Sequence, residues 1–263
     1  MKQVSIHNPY ETRQADIHME ADHYVQSAAV YDILSGPHWS ARQASVRSAF
    51  QPVGDLAGVV LDVGAGSGTA LRLIADTIPN CSILALEPSA SMRIGLMTKV
   101  LLDDELRRRV TIEEQSIQNA SLPDRLSAVL ICGCIGYLDG NERGAMWKSL
   151  ASRLDSRGLI LADVMMLDRP HAVPETKVAS VEVGRRTYEM WVSGEPGGSD
   201  LMLWNMGCRI LEGDEVIRSF NVVREWHTFG IRELLEEASA AGLMGEVLKD
   251  SPVPAAVLGH SRT

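Results

Sequence analysis

Between residues 59 and 164, short aliphatic runs alternate with stretches of helical spacing. The runs Val59–Val63, Ile83–Leu86, Val110–Ile112, Ala128–Cys132 and Leu159–Val164 lack strict polar alternation, as expected for strands covered by helices on both faces. Helical stretches at Thr69–Thr77, Ser89–Leu102 and Asn141–Leu154 join them, with Gly158 breaking the chain after the last. The pattern predicts βαβ units and five parallel strands.

Beyond Asp168 the pattern changes. Pro170 and Pro174 punctuate a loop, and β-branched or aromatic stretches then alternate at Val178–Val183, Thr187–Val192, Leu201–Ile210 and Val216–Val223. These predict an antiparallel sheet laid over the carboxyl ends of the parallel strands. A helix over Ile231–Ala241 stops at Gly242, and Gly245–Lys249 with Ala255–Leu258 closes the core sheet as a hairpin. At the other end, Tyr24, Ala28 and Tyr31 recur at i, i+4 and i+7, which predicts a helix over Thr12–Ser35 ended by Gly36 and Pro37.

Acidic residues outnumber basic ones by 34 to 25, a net charge of -9, which opposes the positive field that nucleic acid or an anionic membrane surface requires. No apolar run reaches the roughly 20 residues of a membrane span, and the polar start lacks the form of a secretory signal. A cytoplasmic location and a small-molecule substrate are the expectations, and a homodimer is compatible with the sequence. Cys81, Cys132, Cys134 and Cys208 form no C-x-x-C pair, so neither zinc nor a disulfide is expected.

The most specific segment runs Val59-Val60-Leu61-Asp62-Val63-Gly64-Ala65-Gly66-Ser67-Gly68-Thr69, a buried strand ending in an acid and a three-glycine turn. Glycines let the backbone bend sharply and approach a ligand. The G-x-G-x-x-G spacing of nicotinamide dinucleotide sites is absent, and Asp62 would repel a pyrophosphate while attracting a cation. Nineteen residues after Gly68, the second run ends at Glu87, near the spacing at which an acid accepts hydrogen bonds from ribose hydroxyls.

This stretch resembles the class I S-adenosylmethionine-dependent methyltransferases, whose first motif is a strand followed by D-x-G-x-G-x-G. The resemblance covers about Val59 to Val164. It implies an α/β fold with a Rossmann-like seven-stranded sheet, mostly parallel with the last strand antiparallel. An N-terminal helical cap (1–52), a cofactor-binding core (53–168), an antiparallel β insertion (169–228) and a closing helix and hairpin (229–263) would complete it. It also implies S-adenosylmethionine as cofactor, without a metal, held by Asp62, Gly64, Ala65, Gly66 and Glu87, with Met92 beside the adenine unless it serves only as helix core. Ser116, followed by Ile117, stands where the family usually has an acid near the adenine amine. Its hydroxyl accepts more weakly than a carboxylate.

After the fourth run, Cys132-Gly133-Cys134-Ile135-Gly136-Tyr137-Leu138 looks like the corresponding segment of sugar amine N-methyltransferases of antibiotic pathways, and Gly133 is placed at the cofactor. The Tyr31-Asp32 pair on an N-terminal helix adds to that likeness. Tyr24, Tyr31 and Tyr137 are candidates to face the sulfonium, with core packing as the plainer alternative. Transfer to a hydroxyl or carbon calls for a base, and His227, beside Trp226, is the first candidate, ahead of His38 and His171. N- or O-methylation is favoured over C-methylation. A nicotinamide oxidoreductase and a non-catalytic cofactor-binding module are the alternatives from other classes. Asn8-Pro9-Tyr10 lies in a polar leader and is read as a turn.

Overall fold

The computed structural model describes residues 22–261. All five aliphatic runs form strands: β1 (Gly58–Val63), β2 (Cys81–Leu86), β3 (Val110–Glu113), β4 (Leu126–Ile131) and β5 (Leu154–Asp163). They pair in parallel in the order β3-β2-β1-β4-β5. Consecutive residues of β1 point to opposite faces: Val60 packs with Phe50, Ile74 and Leu96, whereas Leu61 packs with Trp147 and Leu150. The sheet is therefore buried between two helical layers, which accounts for its missing polar alternation.

The helices are α1 (Tyr31–Phe50), α2 (Leu71–Thr77), α3 (Ala90–Leu101), α4 (Asp104–Arg109), α5 (Gly140–Ala151) and α6 (Ile231–Ala240). Three departures from the sequence reading have physical causes. The N-terminal helix does not stop at Gly36 and Pro37 but contains both, because its later turns bury Trp39, Val46, Ala49 and Phe50 against the core. That burial outweighs the lost backbone bond at proline. The part of the expected helix before residue 22 lies outside the described residues, and Asp22–Ser27 forms turns.

The fifth strand likewise begins at Leu154, where the sequence pattern predicts the end of the preceding helix. A register shift between Leu126 and Ala128 absorbs the irregularity, and Gly158 lies within the strand, where a Cβ would press on Leu154. Helix α4 was not anticipated because only Leu106 of it is buried. It is built on charge: Asp103 caps it, Asp104 and Glu105 open it, and three arginines close it, as the helix dipole favours.

Strands β10 (Met244–Val247) and β11 (Ala255–Gly259) complete a seven-stranded sheet of order β10-β11-β5-β4-β1-β2-β3, in which β11 alone runs opposite to the other six strands. The insertion is a separate antiparallel meander of β6 (Val173–Val183), β7 (Arg186–Pro196), β8 (Leu201–Glu212) and β9 (Glu215–His227). Its inner face packs Met190, Cys208 and Ile210 on Val30, Ile33 and Leu34 of the N-terminal segment. Trp226 covers Gly136 so closely that a Cβ there would overlap its ring. No helix among the described residues is long and apolar enough to cross a membrane.

A buried ion pair joins α5 to α6. Arg143 stacks on Phe229 at 3.7 Å and donates to Glu237 through Nη2 at 2.7 Å, and Trp147 Nε1 donates to the same carboxylate at 3.2 Å. Replacing Glu237 by Ala removes the hydrogen-bonded anion and leaves only the more exposed Glu233, 3.7 Å from Nη2, and a loss of about 3 kcal/mol of unfolding free energy is expected in urea titrations. A loss below about 1 kcal/mol would show that Arg143 finds compensation elsewhere.

Candidate functional site

The turn from Gly64 to Gly68 leaves the carboxyl end of β1, the strand from which the chain order reverses between β2 and β4, where open α/β sheets bind their ligands. Gly64, Gly66 and Gly68 all take positive φ, at 65°, 59° and 82°. Their surroundings differ. A Cβ on Gly64 would meet Cys134 and one on Gly68 would meet Leu96, so those two are also required by packing. A Cβ on Gly66 would find only Met92 Cε at 3.6 Å and its own turn at 3.9 Å. The space over Gly66 is therefore open on the side where a ligand would lie.

Glu87 holds the turn. Its Oε2 accepts from Gly66 N at 2.7 Å and its Oε1 from Ser89 N at 2.8 Å. Burial raises its pKa, and the two amide bonds oppose that rise. The Ala65 amide donates to Leu86 O at 2.9 Å, so turn and strand end move as one body. Asp62 is buried, with Oδ2 lacking any partner. Burial first, and the charge of Glu87 second, push its carboxyl up to about 7.

The N-terminal segment is fastened across this site by two more carboxylates. Asp22 accepts from Ser89 Oγ at 2.7 Å and from Ser91 N at 2.9 Å. Burial pushes Asp22 upward, but hydrogen bonds from Ser91, Ser89 and Tyr24 outweigh it and hold the carboxyl at about 2. Asp32 on α1 accepts from Ser67 Oγ at 2.5 Å and from Lys99 Nζ at 2.8 Å.

Beside the turn lies an aromatic group. Tyr24 and Tyr137 share a hydroxyl hydrogen bond of 2.8 Å, Tyr24 meets Tyr31 edge to face at 5.6 Å, and Tyr137 meets Trp226 at 4.9 Å. Arg224 of β9 lies over the Tyr24 ring at 3.7 Å. Burial raises the Tyr24 hydroxyl well above its ordinary value and that of Tyr31 to about 12.

Met92 is buried beneath Gly66. Gly133, at φ 65°, donates to Asp163 Oδ1 at 2.7 Å beyond the end of β4. Ser116 opens a turn after β3, its carbonyl accepting from the Asn119 and Ala120 amides, and Ile117 packs against the core. His227 stands apart: in the alternation of β9 it faces away from Arg224 and Trp226, and its Nδ1 lies 2.9 Å from Asp200 Oδ2. His38 and His171 are exposed. Sequence reasoning missed Asp22, Asp163 and Arg224. Asp163 closed a recognised aliphatic run as Asp62 does, and that parallel was the available signal. Among the described residues no group of three His, Cys, Asp or Glu could hold a metal.

An open α/β sheet with a glycine turn and an acid at the next strand end defines the class: a nucleotide-type cofactor fold. Residues 60–158 match the family model described as a methyltransferase domain, so the chain carries a methyltransferase domain there. Among curated protein sequences none matches the chain. Solved structures share the fold across nearly its whole length. DesVI of Streptomyces venezuelae is 21% identical with a TM-score of 0.71, covering 92% of this chain and 100% of its own. The sugar N-methyltransferase KedS8 of a Streptoalloteichus species is 22% identical with a TM-score of 0.68, over 89% and 93% of the two chains. CalS10 of Micromonospora echinaspora, an amino pentose methyltransferase of calicheamicin biosynthesis solved with S-adenosylmethionine bound, is 18% identical with a TM-score of 0.68, over 85% and 91%.

The residues fit S-adenosylmethionine: open space over Gly66, a carboxylate at Glu87 and an unpartnered buried carboxyl at Asp62 suit a ribose and a cationic amino acid. Glu87→Gln should weaken S-adenosylhomocysteine binding by about 1.5–3 kcal/mol in calorimetry, the scale for hydrogen bonds to charged groups. An unchanged dissociation constant would place the ribose elsewhere. Gly66→Val should fold yet bind no cofactor, because a branched side chain fills the open space.

The raised Asp62 carboxyl sets a pH dependence. A carboxyl lifted from 3.8 to about 7 contributes stability at low pH that is lost as pH rises between those values. Asp62→Asn should flatten that decline in thermal melts of the free protein. For a cationic cofactor the sign is opposite, so binding should tighten as pH rises through about 7, and the variant should show no such gain.

Proposed function

We propose that the chain transfers a methyl group from S-adenosylmethionine to the amine of a small molecule, of the amino sugar kind, in natural-product biosynthesis. The bound cofactor supplies an electrophilic methyl on a sulfonium; the chain holds and aligns both partners. Glu87 holds the ribose, the Gly64–Gly68 turn and Asp62 take the amino acid part, and the acceptor lies against Tyr24, Tyr31, Tyr137 and Trp226. The two proteins described as sugar N- and amino pentose methyltransferases support the acceptor class.

The observation that carries the reading is that, among the described residues, Glu87, Asp163 and His227 are engaged or turned away, while the unpartnered Asp62 carboxyl lies at the end of β1, at the glycine turn. Burial keeps Tyr24 and Tyr31 protonated at neutral pH. Glu87 is bonded to Gly66 and Ser89, Asp163 to Gly133 and paired with Arg42, and His227 faces the other side of its strand. A neutral amine attacks through its own lone pair and needs no such group, whereas a hydroxyl does.

The test is methyl transfer to matched amino sugars and their hydroxyl counterparts, read by mass spectrometry. Methylation of the hydroxyl series alone would overturn the reading. His227→Ala should keep kcat within about threefold, far from the 10²–10⁴-fold loss of a positioned base, and the rate should rise with pH through the pKa of the acceptor amine.

A further inference from the structure

Arg224 carries a charge for which the described structure provides no counter-ion. It is 6% exposed, its Nη2 donates to Ser27 Oγ at 2.8 Å, and its Nε and Nη1 reach no acceptor. Among the described residues no carboxylate pairs with it. A buried guanidinium left in this state is costly, since burial removes water without supplying an anion.

The strand register places a second unpartnered donor beside it. Arg224 lies opposite Trp204 in the antiparallel pairing of β8 and β9, on the same face, and Trp204 Nε1 is buried without a partner. The next position toward the site pairs Met202 with Trp226, and Trp226 packs on Tyr137. The other unpartnered atom of this region, Asn205 Oδ1, belongs to the neighbouring position, which alternation turns to the opposite face. Around Arg224 the inner face therefore presents unpaired N–H donors, and among the described residues Ser27 Oγ is the acceptor that the guanidinium reaches. A group made only of acceptors, a carboxylate or a phosphate, satisfies them all.

We infer that Arg224 and Trp204 form a subsite for an anionic group of the methyl acceptor, so that the acceptor is a negatively charged amine; the inference rests on the methyltransferase reading above. The position separates this anion from the cofactor. The cofactor's contacts lie at the ends of β1 and β2, on the core, whereas Arg224 lies on the insertion behind the Tyr24 ring, and Tyr31 stands in the field of both Glu87 and Arg224. The planar guanidinium, with its fixed donor directions, also selects a carboxylate or phosphate over a point anion such as chloride.

The test is calorimetric titration of the full chain, free and saturated with S-adenosylhomocysteine, with pyrophosphate and with benzoate at constant chloride. Wild-type protein should bind at least one of them, which distinguishes a phosphate-bearing from a carboxylate-bearing acceptor. Arg224→Met should weaken that binding at least tenfold and Trp204→Phe several-fold, with S-adenosylhomocysteine affinity changed less than twofold. Arg224→Lys keeps the charge but not the planar donors and should weaken it by an intermediate factor, and it replaces the Met variant should that one fail to fold. Absence of anion binding to the wild type, or equal binding in the variants, overturns the inference. So does a tenfold loss of S-adenosylhomocysteine affinity with that for 5′-methylthioadenosine unchanged, since the guanidinium then serves the cofactor's own carboxylate. Failure of the wild type to bind S-adenosylhomocysteine would sink the cofactor assignment instead, and the titration of the free protein would still decide the anion subsite.

Discussion

The bridge that Glu87 makes from the Gly66 amide to the Ser89 amide couples the glycine turn to the start of α3, and the rest of the site is arranged around it. Ser89 caps α3 by accepting from the Met92 amide, and Met92 then lies beneath Gly66, so one carboxylate sets both the turn and the surface under it. The arrangement has an electrostatic consequence. Two acids, Asp62 and Glu87, are buried here, the charge of Glu87 raises Asp62's cost of ionisation, and among the described residues no cation neutralises Asp62. Burial of this kind destabilises the free protein at neutral pH, and it is relieved by a positively charged ligand at the mouth of the turn.

A different use of carboxylates fastens the N-terminal segment. Asp22 and Asp32 are held ionised, one by amide and hydroxyl donors at the head of α3, the other by Lys99 and Ser67. These bonds bring Tyr24 and Tyr31 over the strand ends and so build the wall on which the insertion rests. The order of dependence runs from turn to α3, from α3 to the N-terminal segment, and from that segment to the insertion through Val30, Ile33 and Leu34.

The parallel core and the glycine turn were legible in the sequence because both are local. An uninterrupted aliphatic run and a glycine triplet announce themselves within a dozen residues. The path of the N-terminal helix was not, since Gly36 and Pro37 are strong stop signals that only the distant burial of Trp39, Val46 and Phe50 overrides. Helix α4 escaped because its signal is charge order rather than apolar spacing. For His227 the sequence could supply proximity to Trp226 but not the face: adjacent residues of one strand point in opposite directions, and the register that decides between them is set by pairing with Leu201 and Met202. The same blindness hid Arg224, whose inward direction appears only once that register is known.

The two halves of the site are thus opposite in charge. Unpartnered acid lies at the turn and, on the insertion, a guanidinium with no counter-ion among the described residues, with protonated tyrosines between them. The tyrosines contribute apolar faces and a shared hydroxyl bond rather than charge, so they separate the two fields without neutralising either. A cationic donor and an anionic acceptor are then drawn to opposite walls, and each wall repels the partner that belongs to the other. That separation orients both molecules before any reaction, which is the larger part of what a direct displacement asks of a protein. The close packing of Trp226 on Gly136 holds the strand that carries Arg224 in fixed relation to the core, so the division of charge is built into the fold.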